Sequence, residues 1–271
     1  MMKCELCAFN TPKGTATAVF IKNGALLLTK RNQAPYKGMW DLPGGYMNQG
    51  ETPEETLRRE MKEELGIDIS YDFIGWFPGT ASWNRKTYAV ISHAYLVDYR
   101  GDITLNKKEN SHFAWMPLKK IKPSAIAFDS NQAIIRLLKK KFASDYPALV
   151  FLIAQLDSSA TVNEMNLYRS LLNGYMSKKV IDGKLVGAGW IFPRRTFLRK
   201  QAVVEDMIVD ESQRGKGLGK EILLDLLRWA KKQGVEVVEL TTNPRRLAAN
   251  ALYQKIGFQL HPTNHYLYQV K

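Results

Sequence analysis

"GGYMNQGETPEETLRREMKEELGI", spanning Gly44 to Ile67, combines turn-forming glycines with a run of ionisable side chains. Pro53 suits a first helical turn, Glu54 and Glu55 stand where the positive end of a helix dipole favours anions, and Gly66 is a natural stop. The stretch therefore predicts a helix from Pro53 to Leu65 behind a glycine-rich loop. At 3.6 residues per turn, Leu57, Met61 and Leu65 share a core-facing stripe, and Glu60, Glu63 and Glu64 fall within an arc of roughly 100° beside it.

Like charges packed this closely cost electrostatic energy unless something positive fills the space between them. Magnesium or manganese, hard ions that prefer oxygen ligands, would do so and would bridge to substrate phosphates. Arg59 lies four residues before Glu63 and eight after Glu51, within reach of either carboxylate. The glycines at 44, 45 and 50 allow the loop to fold back over the helix start.

Gly45, Glu51, Arg59, Glu60, Glu63, Glu64 and Gly66 occupy every fixed position of the Nudix box, and the segment resembles that family in its loop and helix setting. The resemblance implies hydrolysis of a pyrophosphate joined to another group, by water activated beside a divalent metal. It assigns Glu60, Glu63 and Glu64 to the metal, with one of them able to deprotonate the water, and places Arg59 and Glu51 behind them. Glu109 stands where several relatives carry a further metal-binding glutamate, and it reads equally as a loop acid. Arg31, ending a strand near the box, is placed to meet a phosphate. Asn131 stands where the oxidised-nucleotide branch reads a base, but Asp129, Ser130 and Asn131 are first of all helix-capping residues. Nothing downstream selects among nucleoside triphosphates, ADP-ribose, dinucleotides and CoA.

A chain of 271 residues accommodates two domains, each with its own core. "TATAVFIKNGALLLTKR" sets two apolar runs around Asn23-Gly24, a tight-hairpin signal, and strand-like segments follow near Ile74–Phe77, Thr87–Val97 and His112–Met116. "SNQAIIRLLKKKF" reads as an amphipathic helix. The polar, proline-containing stretch from Ala143 to Pro147 marks a boundary, giving domains 1–143 and 148–271. Beyond it, "ALVFLIAQL" reads as a buried strand and "VNEMNLYRSLLNGY" as a helix. Asp182-Gly183 signals a second hairpin. "AVVEDMIV" and "VEVVELTT" read as strands on either side of the helix "KEILLDLLRWAKKQ".

Arg214, Gly215, Lys216, Gly217, Leu218 and Gly219 sit between such a strand and helix, where converging backbone amides and a helix N-terminus suit a pyrophosphate. The loop lacks the Lys-Ser/Thr ending of a P-loop and the glycine spacing of a dinucleotide fingerprint. Its RxxGxG form, with "NPRRLAANALYQKIGF" behind it, resembles the acetyl-CoA loop of the GNAT acetyltransferases. In that segment Ala248, Leu252 and Ile256 form a helical core face, while Arg246, Asn250 and Tyr253 share another. The resemblance implies that Arg214 to Gly219 bind the CoA pyrophosphate, that Asn250 contacts cofactor, and that Tyr253 is the general acid facing the departing thiolate. Glu205, charged beside the apolar "VV", reads as a pocket-lining base acting directly or through water. Arg194, Arg195, Arg199 and Lys200 suit either an anionic acceptor or a solvated loop.

The expected fold is α/β (α+β): an α/β/α sandwich with a mixed sheet, then a mostly antiparallel, splayed sheet flanked by helices. The expected function is bifunctional, a magnesium-dependent pyrophosphohydrolase acting on a nucleotide-type substrate and an acetyl-CoA-dependent acetyltransferase acting on a primary amine. The alternative is a regulator in which one domain senses a nucleotide or CoA without catalysis. The net charge of +13 is shared almost evenly between the two halves, with no basic block, which argues against a nucleic-acid partner. Cys4 and Cys7 supply one CxxC, half of a zinc site, and read as reduced thiols. No apolar run is long enough for a membrane span and no signal-peptide core is present, so a cytoplasmic protein is expected.

Overall fold

The computed structural model describes residues 11–142, 146–157, 161–266 and 268, so Cys4, Cys7 and the boundary residues Ala143 to Asp145 lie outside it. The chain divides into two compact units, Met1–Tyr175 with Val180–Leu185, and Met176–Lys179 with Val186–Lys271. Among the described residues, no helix is long and apolar enough to cross a membrane.

The first unit runs β1 (Lys13–Val19), β2 (Ile21–Lys22), β3 (Ala25–Arg31), β4 (Trp40–Asp41), β5 (Gly44–Tyr46), α1 (Pro53–Leu65), β6 (Asp68–Trp83), β7 (Lys86–Arg100), β8 (Asn110–Pro117), α2 (Asp129–Phe142), α3 (Tyr146–Leu156) and α4 (Glu164–Asn173). Its main sheet has the order β5-β1-β7-β6, and a second joins β2, β3, β4 and β8. The main sheet is mixed, since β1 runs parallel to β7 and antiparallel to β5. Ala16 pairs with His93 and Ala18 with Tyr95, so these four side chains share one face. That face receives α1, and Ala16, Ala18, Leu57, Met61, Leu65, Tyr95 and Val97 form one buried cluster. The opposite face takes α2, whose Asn131 meets Thr17 of β1. This is an α/β/α sandwich.

Each end of α1 is closed. Thr52 accepts from the Glu55 backbone N–H while the Glu55 side chain accepts from that of Thr52, a reciprocal capping box. Gly66 ends the helix in the left-handed region at φ 71°. Two carbonyls of the last turn are then met from the β7–β8 loop: Thr104 N–H donates to Leu65 O and Asn106 N–H to Glu64 O, both at 2.8 Å.

Both two-residue hairpins form, with positive φ at Asn23 and Gly24 and at Asp182 and Gly183. A third was not visible in the sequence: Asn84 and Arg85 adopt φ of 47° and 61° and join two strands longer than the apolar runs suggested. "ALVFLIAQL" is the other departure, being helical in α3 rather than a strand. A short apolar run carries no period of its own, and here only Leu149 and Leu152 are buried. On α4, Lys141 of α2 donates to Leu172 O and Gly174 O, which caps that helix with a cation, and Phe142 packs on Tyr168 at 4.9 Å.

The remaining elements are β9 (Tyr175–Ile181) and β10 (Lys184–Arg195), whose connecting end Val180–Leu185 groups with the first unit, and β11 (Lys200–Val209), α5 (Leu218–Lys232), β12 (Val237–Leu240) and α6 (Leu247–Ile256) of the second, with sheet order β12-β11-β10-β9. β10 and β11 are antiparallel, whereas β11 and β12 are parallel and register only from Gln201–Val237 to Val204–Leu240. β12 ends at Leu240, opposite Val204, so β11 continues from Glu205 without β12 beside it. The core face read for α6 is weaker than expected: Ala248 is exposed and Leu252 and Ile256 are half-buried.

Leu57→Ala should cost about 2–5 kcal/mol and Thr52→Ala about 1 kcal/mol, because the first opens a cavity under α1 and the second removes only a cap. Urea unfolding followed by circular dichroism checks both; equal losses would contradict the packing described.

Candidate functional site

Glu60 and Glu64, both buried on the sheet side of α1, converge with Glu109, and these three carboxylates offer ligand atoms within 4.8 Å of one another. The backbone bonds from Asn106 to Glu64 and from Glu109 to Asn106 tie the β7–β8 loop to the end of α1, which explains how a residue 45 positions after Glu64 reaches it. Glu64 Oε2 accepts from the Gly44 N–H at 3.0 Å and Oε1 from Asn110 Nδ2 at 3.2 Å. Burial nevertheless pushes its carboxyl up to about 8, with the charges of Glu60 and Glu109 adding to the rise. Glu60 is also raised, first by burial, although the Arg59 guanidinium opposes this.

Arg59 organises the outer side. Its Nε and Nη2 grip both oxygens of Glu51 at 2.7 and 3.0 Å, Nη1 reaches Glu60 at 2.7 Å and Glu63 at 3.0 Å, and Nη2 also donates to Tyr46 O. Glu51 is thereby held well below the usual carboxylate range. Glu63 is half-exposed and turned to Arg59, outside this group of three. Gly44 and Gly45 both stand where a side chain would meet a neighbour. A Cβ at Gly44, whose φ is 143°, would come within 2.1 Å of Ala16 O, and one at Gly45 within 2.2 Å of the Glu60 carboxylate.

Two readings of the sequence are corrected here. Asn131 does not cap α2; it lies inside the helix, buried, and its Nδ2 donates to Asp41 Oδ1 at 2.7 Å while its Oδ1 accepts from Thr17. The local acceptor is Asp129, which takes the Ser130 N–H together with the N–H and hydroxyl of Thr80. Arg31 is not free for a phosphate, since it pairs with Asp41 at 3.0 Å, donates to Pro35 O and stacks on Phe128. Asp41, unnoticed in the sequence, is the hub of this network, and burial raises its carboxyl to about 6 against the pull of Arg31. Asn110 was missed as well; neither residue stands in a pattern that marks it.

In the second unit, Glu205 is the first residue of β11 beyond its pairing with β12 and is half-buried. Burial raises its carboxyl, and Asp206 beside it adds to the rise. Asp206 has a φ of 49°, at the point where Asp206 and Met207 bulge opposite Gly189. The Arg214–Gly219 loop turns through Gly215 and Gly217, at φ of 80° and 81°, into α5, whose first turn has no side-chain cap. Arg214 itself pairs with Glu211 and donates to Val209 O. Leu252 of α6 reaches the start of α5, 3.6 Å from where a Cβ on Gly219 would sit, so Tyr253 and Asn250 are carried near this loop. Burial raises the Tyr253 hydroxyl. The Asn250 amide nitrogen is engaged by Asn243 O and Arg246 O, holding the turn before α6. Arg194 is fixed by Gln201 and Glu239.

Residues 12–137 match the NUDIX domain family and residues 132–258 the Acetyltransferase (GNAT) family. The chain is similar to the ADP-ribose pyrophosphatase of Methanocaldococcus jannaschii, 43% identical over 56 residues, which is 21% of this chain and 33% of that protein. It is also similar to the nucleoside triphosphatase NudI of Enterobacter sp., 34% identical over 122 residues, covering 41% of this chain and 83% of that protein. A third similarity is to the uncharacterized N-acetyltransferase YobR of Bacillus subtilis, 38% identical over 68 residues, 25% of this chain and 27% of that protein. The chain thus spans a third or less of the first and third of these relatives.

Gly45→Ala should leave stability nearly unchanged, because the end of the Glu60 side chain can move, yet weaken magnesium binding by about tenfold or more through that displacement. Titration calorimetry checks it. The raised Glu64 carboxyl sets a sign as well: in metal-free protein its contribution to stability is present below about 4.5 and lost as pH rises through about 8. Magnesium added at pH 7 should therefore release protons, detected by calorimetry in buffers of different ionisation enthalpy, and Glu64→Gln should reduce that release.

Proposed function

The chain belongs to the Nudix family in its first half and joins to it a GNAT acetyltransferase domain, and from that premise we propose two activities for it. One is divalent-metal-dependent hydrolysis of the pyrophosphate in a nucleoside-diphosphate-linked compound. The other is transfer of acetyl from acetyl-CoA to a primary amine. The observation that carries the first is the cluster of Glu60 and Glu64, both buried, with the half-buried Glu109, three carboxylates with only partial compensation from the protein. An oxygen-only, anionic, part-buried donor set fits magnesium or manganese.

In this reading Glu60, Glu64 and Glu109 hold the metal. When bound, the metal supplies Lewis-acid polarisation of the phosphoryl oxygen and a lowered pKa for attacking water. Arg59 holds Glu60 and Glu63 in place and, through Glu51 and Tyr46 O, fixes the loop to the helix. Glu63, more exposed than the trio and released from Arg59 by a small movement, joins the ligand set or takes the proton of the water at its Oε2.

In the acetyltransferase half, the uncapped first turn of α5 and the backbone N–H groups of Arg214 to Gly219 receive the CoA pyrophosphate. Acetyl-CoA supplies the activated acyl group. Glu205, its carboxyl raised by burial, takes the proton of the incoming ammonium at its carboxylate oxygen, directly or through water. Tyr253, kept as a neutral phenol by burial, delivers its proton to the departing sulfur. Asn250 sets the turn in front of α6 and so the position of Tyr253.

Two substitutions test the proposal in the full chain. Glu63→Gln should lower kcat for pyrophosphate cleavage by about a hundredfold or more and leave acetyl transfer intact. Tyr253→Phe should do the reverse, slowing acetylation by about tenfold or more at saturating amine. Phosphate release and product mass report the first, thiol release from acetyl-CoA the second; joint loss of both in either folded variant would overturn the independence of the two sites.

A further inference from the structure

Tyr46 follows the box glycine Gly45 directly, and its carbonyl accepts from Arg59, so its position is set by the same contacts that organise the carboxylates. Its β1 partner is Thr15, while Lys13 pairs with Val90 two residues along β7 from Tyr88. By strand alternation Lys13, Thr15 and Thr17 share a face with Tyr46 and Tyr88, the face opposite α1. The same face carries the Thr17 hydroxyl to Asn131, and the Tyr46 phenol lies near enough to Arg31 and Asp41 to feel their charges.

On this face the two phenols meet at 3.1 Å, with ring centroids 6.4 Å apart and tilted by 51°. The Lys13 ammonium lies over both rings, 4.8 Å from the Tyr88 centroid and 5.7 Å from that of Tyr46. Lys13 and Tyr46 are exposed and Tyr88 half-buried, and among the described residues no ion pair includes Lys13. A cation held only by ring faces is easily exchanged for another group that prefers those faces. A planar base does, and a phosphate beside it would take the displaced ammonium.

We propose that Lys13, Tyr46 and Tyr88 form the specificity wall for the nucleoside end of the substrate. The base stacks on the two rings in place of the Lys13 ammonium, which moves to a substrate phosphate. This rests on the hydrolase reading above, and it names the residues that would meet the base of that nucleoside-diphosphate-linked compound.

The test is steady-state kinetics of the full chain with magnesium, using nucleoside triphosphates and phosphoribosyl pyrophosphate, a pyrophosphate ester without a base, as substrate or competitive inhibitor. Tyr46→Leu and Tyr88→Leu should raise KM for the nucleotides by about tenfold or more, with kcat changed less than about twofold. The constant for phosphoribosyl pyrophosphate should not move. Tyr46→Phe, which keeps the ring, should retain the nucleotide KM, and Lys13→Ala should raise both constants. Unchanged nucleotide KM in the leucine variants, or an equal rise for the base-free compound, overturns the inference while the hydrolase reading stands. Wild-type protein that binds magnesium but cleaves no compound of either kind overturns the hydrolase reading, and this inference with it.

Discussion

Three carboxylates held together in a part-buried place repel one another, and the first unit is arranged around that repulsion. The Leu57, Met61 and Leu65 stripe sets which way α1 faces, and the glutamates follow from that setting because they share its turns. The Gly44 N–H and Asn110 soften the burial of Glu64 without neutralising it. Arg59 sits to one side, bound chiefly to Glu51, so its charge steadies Glu60 and leaves the space between Glu60, Glu64 and Glu109 to something else. An arrangement that satisfied every carboxylate internally would be more stable and chemically inert.

The second unit reaches a comparable openness with backbone instead of side chains. β12 stops pairing with β11 at Val204, a bulge follows at Asp206 and Met207, and α5 begins without a side-chain cap. Each of these leaves polar backbone without a regular partner, a condition that ordinary folds avoid. Gly215 and Gly217 make the last step possible, since their positive φ turns the chain into the helix in four residues.

What the sequence showed best was local. The limits of α1, its buried stripe, the Asn23-Gly24 and Asp182-Gly183 turns and the glycine loop before α5 each depend on a few adjacent residues whose chemistry admits one conformation. Legibility failed where the deciding partner is distant in sequence. Asn131 looks like a cap because it starts a helix, and only Asp41, ninety residues earlier, makes it part of a buried network. Arg31 has the same explanation through Asp41, and Asn110 through Glu64. The run in α3 is apolar on nearly every side and so has no period to read, while Asn84-Arg85 lacks the glycine that announces such turns.

The cation at the end of α4 has a consequence for how such a chain is divided by recombination. Lys141 lies on α2 and its acceptors are at Leu172 and Gly174, while Phe142 rests on Tyr168, so the first unit continues through α3 and α4. A gene fragment ending between them would encode a first unit with an ammonium facing no carbonyl and an aromatic ring facing water. A crossover near Tyr175, one residue past Gly174, keeps that lysine and its carbonyls on one polypeptide, which makes the start of β9 the natural splice point for exchanging the second unit.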